Sequence, residues 1–146
     1  MTEPDAETRA LVDMVEQIVH TVGSGAADIS YAPISDLWMV SVKPHRSTAA
    51  PISFLLCGDE ISGEAGGASF YAWTSDETTM ERFREILAMT MLGRIEERGW
   101  HAPVLRVFPF AGHPYITGDF SLVPWRWRRR RTWEPYARQD EVGETV

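Results

Sequence analysis

Four groups of side chains in this sequence are of types that do chemistry. The first is Cys57, a thiol that would serve as a nucleophile if a histidine and an acid converged on it. It closes the apolar run Leu55-Leu56-Cys57, where a lone cysteine reads as a small buried hydrophobe instead. The second group is His20, His45, His101 and His113. No pair has the helical i, i+4 or close strand spacing that would present two imidazoles to one metal, so no metal site is expected. The third group is Asp59, Glu60 and Glu64, set among Gly58, Gly63, Gly66 and Gly67. Their spacing matches no calcium loop, and the glycines lead into a strand rather than a helix terminus, so neither a cation nor a phosphate cradle is implied. These acids read as a solvated hairpin turn that would face a basic partner.

The fourth group is the most unusual. Trp125-Arg126-Trp127 begins a run that ends at Trp133 and carries five arginines without an acid. Three readings of it stay open. Alternation would make it a terminal edge strand whose arginines cover an acidic body. Tryptophan and arginine are also the residues enriched at protein interfaces. Arginine interleaved with tryptophan would further suit phosphates and unpaired bases, or an anionic membrane surface.

The charge distribution frames these readings. The net charge of −7 divides into −9 over residues 1–124, +5 over 125–133 and −3 over 134–146. An acidic body favours basic partners and repels phosphate backbones, and the acidic end would compete for the arginines next to it. A chain of 146 residues suits one domain, taken as 1–124 with a Trp/Arg-rich segment and acidic tail over 125–146. One cysteine excludes an internal disulfide. No apolar run is long enough to span a bilayer, and no basic region precedes an apolar one at the start, so a cytoplasmic protein without a cofactor is expected.

The elements that must position these residues follow from periodicity. Leu11, Val15, Ile18 and Val22 recur at helical spacing, predicting a helix over 3–22 capped by Thr2. Strands are predicted over 36–43, 51–58 and 68–74, with Trp38, Val40 and Val42, then Ile52, Phe54 and Leu56, then Phe70 and Ala72 on one face. The connections are too short for crossover helices, so the strands form an antiparallel meander. A second helix is predicted over 76–98, with Met80, Phe83, Leu87, Met91 and Ile95 as its stripe, Gly93 inside it and Gly99 ending it. Strands over 103–110 and 115–123 complete the order α-β-β-β-α-β-β. The predicted class is α+β: an antiparallel sheet of about five strands, both helices on one face, and an extended C-terminal tail.

This order resembles two groups of small acidic bacterial proteins. The strand-cap-helix step Phe70-Tyr71-Ala72-Trp73-Thr74-Ser75-Asp76, followed by Glu81-Arg82-Phe83, resembles the immunity proteins of polymorphic toxin systems of actinobacterial type. Size, acidity and element order are also similar to the type III secretion chaperone-like fold. Both resemblances imply a non-catalytic protein that binds another protein, a toxin or a secreted client. Asp59, Glu60 and Glu64, with Trp125, Arg126, Trp127 and Trp133 if the tail takes part, are the expected partner-binding residues. The alternatives are a nucleic-acid or phosphate-binding accessory protein using 125–133, and an enzyme with a dispersed site such as His101, His113, Tyr115 and Asp119. An edge strand beside the Trp/Arg segment leaves a homodimer open as well.

Overall fold

The computed structural model describes residues 4–99, 103–117 and 130–137. Helix α1 (Ala6–Thr21) is followed by five strands, β1 (Ala27–Ile34), β2 (Leu37–Pro44), β3 (Ile52–Cys57), β4 (Glu60–Ala65) and β5 (Ala68–Trp73). Helix α2 (Glu77–Met91) then leads to β6 (Ile95–Arg98), β7 (Val104–Val107), β8 (Tyr115–Thr117) and β9 (Arg130–Thr132). The first five strands form an antiparallel meander in chain order, and the last four form a second antiparallel sheet ordered β8-β7-β6-β9. The class is α+β, with both helices on the inner face of the five-stranded sheet.

That inner face explains the elements. Val40, Val42, Ile52, Phe54, Ile61 and Phe70 alternate inward along β2 to β5 and are buried. Helix α1 lays Leu11, Val15 and Val19 on them, and α2 adds Met80, Phe83 and Leu87. Phe83 meets Phe54 edge-on at 5.3 Å between ring centroids and lies 5.7 Å from Phe70, so two strands and a helix share one aromatic centre.

Several expected boundaries move. Helix α1 is capped by Asp5, whose carboxylate accepts the Thr8 N–H at 2.8 Å; this contact holds the Asp5 carboxyl below its ordinary value. Strand β4 appears where a turn was expected and β1 where no element was assigned, and the β1–β2, β3–β4 and β4–β5 links are each only two residues long. Ser35, Gly58 and Gly66 each take a left-handed φ as the first loop residue, the geometry that lets so short a link follow the strand twist. Helix α2 stops at Met91, not at residue 98. Gly93, at φ +71°, is its terminating residue, and the chain reverses into β6. The stretch 103–110 is strand only over Val104–Val107, and 115–123 only over Tyr115–Thr117 among the described residues.

Residues 130–137 are built into this body rather than extended from it. Tyr136 is 1% exposed, its hydroxyl donates to the Ala50 carbonyl at 2.6 Å, and its N–H donates to Met91 O at 2.8 Å. Arg46 reaches Pro135 O and the Glu134 carboxylate at 2.9 and 2.7 Å, and Thr48 donates to the same carboxylate. A parallel bridge between Ala49 and Glu134 completes the attachment. Periodicity alone misses this anchorage, because it rests on one tyrosine, on polar contacts of Arg46 and Thr48 with residues far along the chain, and on backbone groups.

Candidate functional site

Among the described residues, no helix covers the outer face of the five-stranded sheet. Its side chains follow from the strand register. One row crosses the sheet as Ala32, Met39, Leu55, Ser62 and Tyr71, and the next as Ser30, Ser41, Ser53, Glu64 and Ser69. A third row places Cys57, Glu60 and Trp73 side by side. Met39, Leu55, Ser62, Glu64 and Tyr71 line a shallow groove of about 350 Å³ on this face. Tyr71 is 50% and Trp73 40% exposed, so two rings stand in solvent at the edge of the groove.

The expected acids fall in two places on this face. Asp59 is in the β3–β4 turn, where its carboxylate accepts the Ser75 hydroxyl at 2.9 Å and its carbonyl accepts the Thr74 N–H at 2.8 Å. Glu60 is half-buried and directly opposite Trp73, whereas Glu64 is exposed and opposite Ser69. The turn is therefore shorter than expected, and Glu60 and Glu64 belong to a strand. Cys57 is exposed on this same face. That overturns its reading as a core residue: the alternation of β3 sends Ile52, Phe54 and Leu56 inward and Cys57 outward.

Trp133 has a structural partner. Its Nε1–H donates to Glu97 Oε1 at 2.9 Å, and the same oxygen accepts the Gly67 N–H at 2.6 Å. Glu97 is 6% exposed, so this clasp satisfies a buried carboxylate while tying β6 to the β4–β5 turn and to the residue after β9. The turn is glycine because a Cβ on Gly66 would lie 2.0 Å from Glu97 Oε1. Trp125, Arg126 and Trp127 lie outside the described residues.

The neighbouring acid, Glu96, faces the other side of β6. Its two oxygens accept Arg98 Nε and Arg130 Nε, each at 2.8 Å, and it is buried. Neither glutamate is marked in the sequence, where 95–98 continue the apolar period of α2 and read as helix. Tyr115 is likewise engaged: its hydroxyl donates to Glu85 at 2.6 Å, and Arg82 stacks 3.7 Å from its ring centroid. Burial, with the Glu85 contact second, pushes its phenol above the ordinary tyrosine range. Of the dispersed enzyme set, His113 is exposed and Tyr115 makes the contact just described, while His101 and Asp119 lie outside the described residues.

Among the described residues, no group of three His, Cys, Asp or Glu side chains is placed to hold a metal, and no helix is long and apolar enough to cross a membrane. No protein-family model matches this chain, and no characterised protein or solved structure is significantly similar to it.

Proposed function

We propose that this chain is a non-catalytic protein-binding module. It would receive a basic, partly apolar segment of a partner on the uncovered face of the five-stranded sheet, as an immunity protein holds its toxin or a chaperone its client. The observation that carries the reading is the composition of that face. An antiparallel sheet commonly leaves one face to water, and such faces are polar. Here Met39, Leu55, Tyr71 and Trp73 stand among serines, with Glu60 and Glu64 on the same strand. Rings with an apolar body and a polar atom are the anchors that interfaces favour, and the net −9 of residues 1–124 would steer a cationic partner toward them.

The test is capture of the host partner at low and moderate salt with nuclease present, using wild type and a Tyr71→Ser/Trp73→Ser variant. Both rings are exposed, so the fold should survive, which circular dichroism would check. One stoichiometric protein retained by wild type and bound at least about 30-fold more weakly by the variant is expected, from about 2 kcal/mol lost with such anchors. Equal retention by a folded variant would remove the sheet face from the interaction.

A further inference from the structure

The second sheet also has an outer face, and its chemistry is opposite to that of the first. Register places Ile116, Arg106, Glu96 and Thr132 in one row across its four strands. Arg98 and Arg130 form the next pair on this face, two positions along the ladder, and both engage Glu96. Arg94, just before β6, is fixed by the Phe108 carbonyl at 2.8 Å. Arg98 and Arg130 thus pair with one buried carboxylate, Arg106 stands opposite it in the register, and an open cavity of about 400 Å³ lies between Arg94, Glu96, Phe108, Arg130 and Thr132.

The rings on this side are paired with the arginines. The Arg94 guanidinium stacks over Phe110 at 4.3 Å and that of Arg106 over Phe108 at 5.0 Å. Phe110 is 72% exposed. Glu96 engages Arg130 through Nε, and the Arg130 side chain is 60% exposed, so the buried acid holds the guanidinium in place without enclosing it.

We propose that the outer face of the second sheet binds single-stranded nucleic acid, its arginines engaging phosphates and Phe110 stacking on an unpaired base. The proposal is independent of the protein-binding reading, which concerns the other sheet. An acidic polypeptide would match the charge but would leave the exposed ring unused. Alternation of cation and flat ring matches the alternation of phosphate and base.

The test is fluorescence anisotropy of a labelled oligouridine with the full chain. Engagement of about three phosphates by a single strand gives a salt slope near −2, or about a 20-fold loss of affinity between about 50 and about 200 mM salt. Arg130→Ala should reduce that loss to about 7-fold, because one phosphate contact is gone. Removing Arg130 also exposes the Glu96 pairing to disruption, so Phe110→Ser is the second variant: it keeps every ion pair and should weaken binding about 10-fold, as loss of one stacking contact does. No binding by wild type, or unchanged binding by a folded Phe110→Ser, overturns the proposal. Equal competition by polyglutamate assigns the face to acidic polypeptides and overturns it too. So does equal competition by inorganic phosphate, which would reduce the face to a simple anion site, and so does self-association at the same salt that occludes the oligonucleotide.

Discussion

Replacing Trp133 with Phe keeps an aromatic ring beside Arg131, whose guanidinium lies 3.9 Å from the indole, and removes one N–H. That N–H is one of two donors to Glu97 Oε1, the other being the Gly67 amide. A hydrogen bond to a charged group contributes about 1.5 to 3 kcal/mol, and the loss is felt because the carboxylate is buried and gains no water in exchange. Trp133→Phe should therefore destabilise the fold by about 2 kcal/mol, which lowers the thermal midpoint of a domain this size by about 4 to 8 °C. Urea unfolding of Trp133→Phe, Glu97→Gln and the double variant would separate this contact from general packing. The two changes act on one hydrogen bond, so their effects should fall short of additivity by about 1 kcal/mol or more. Additive effects, with Trp133→Phe alone costing under about 0.5 kcal/mol, would refute the clasp and return Trp133 to the set of residues available to a partner.

Three further outcomes follow from the same geometry. Gly66→Ala should cost about 3 kcal/mol or more in urea, against about 1 kcal/mol for Gly58→Ala. Both glycines have a left-handed φ, but only the Cβ at Gly66 would strike Glu97, while that at Gly58 meets nothing within 4 Å. Burial raises the Tyr136 phenol above its ordinary value near 10, so in rising pH the unfolded chain ionises first and stability, fully present below about pH 10, falls above it. Tyr136→Phe should lose about 1 kcal/mol at neutral pH and then show a flatter decline above pH 10, and an unchanged alkaline slope would contradict the assignment. Cys57, exposed on β3, should react stoichiometrically with a thiol reagent in native buffer, and latency until denaturant is added would place it back in the core.

The sequence made legible those elements whose inner and outer positions differ in type. Strands β2, β3 and β5 alternate large apolar residues with smaller or polar ones, and their inward faces are as read. Strand β4 escaped because its inward residues are Ile61, Gly63 and Ala65. The middle one is glycine because Phe54 and Phe70 occupy the space in front of it, where an added Cβ would lie within 2.8 Å of both. Strand β1 escaped because it is an edge: only Ala27 and Ile29 of its eight residues are even half-buried, so little alternation is imposed on it. The end of α2 was obscured by coincidence, since Met91 and Ile95 are four apart and both buried although one is in a helix and the other in a strand. For the candidate sites, the acids of β4 were legible as residues but not as a face. Glu96 and Glu97 carried no signal, because their roles depend on partners in the β4–β5 turn and in β9.

Glu96 and Glu97 also tie Arg130 and Trp133 of the cationic C-terminal segment into the fold. Adjacent strand residues point to opposite sides, so one dipeptide holds Arg98 and Arg130 on the outer face and Gly67 and Trp133 on the inner one. A chain ending at residue 124 would remove Arg130 and Trp133 together and leave two buried carboxylates short of a partner each. Removing one partner of a buried charge costs about 3 to 5 kcal/mol. Loss of Tyr136, filling a site 1% exposed, adds about 3 to 5 kcal/mol more, as deletion of a buried ring does. That total rivals the whole stability of an ordinary domain, about 5 to 15 kcal/mol. The truncated chain should therefore lose cooperative unfolding in calorimetry, and a truncated chain melting within about 3 °C of the full one would show the segment to be dispensable. If the segment is needed for folding, Arg130 reaches any ligand already fixed by Glu96. Little side-chain freedom is then left to lose on binding, which favours affinity from few contacts.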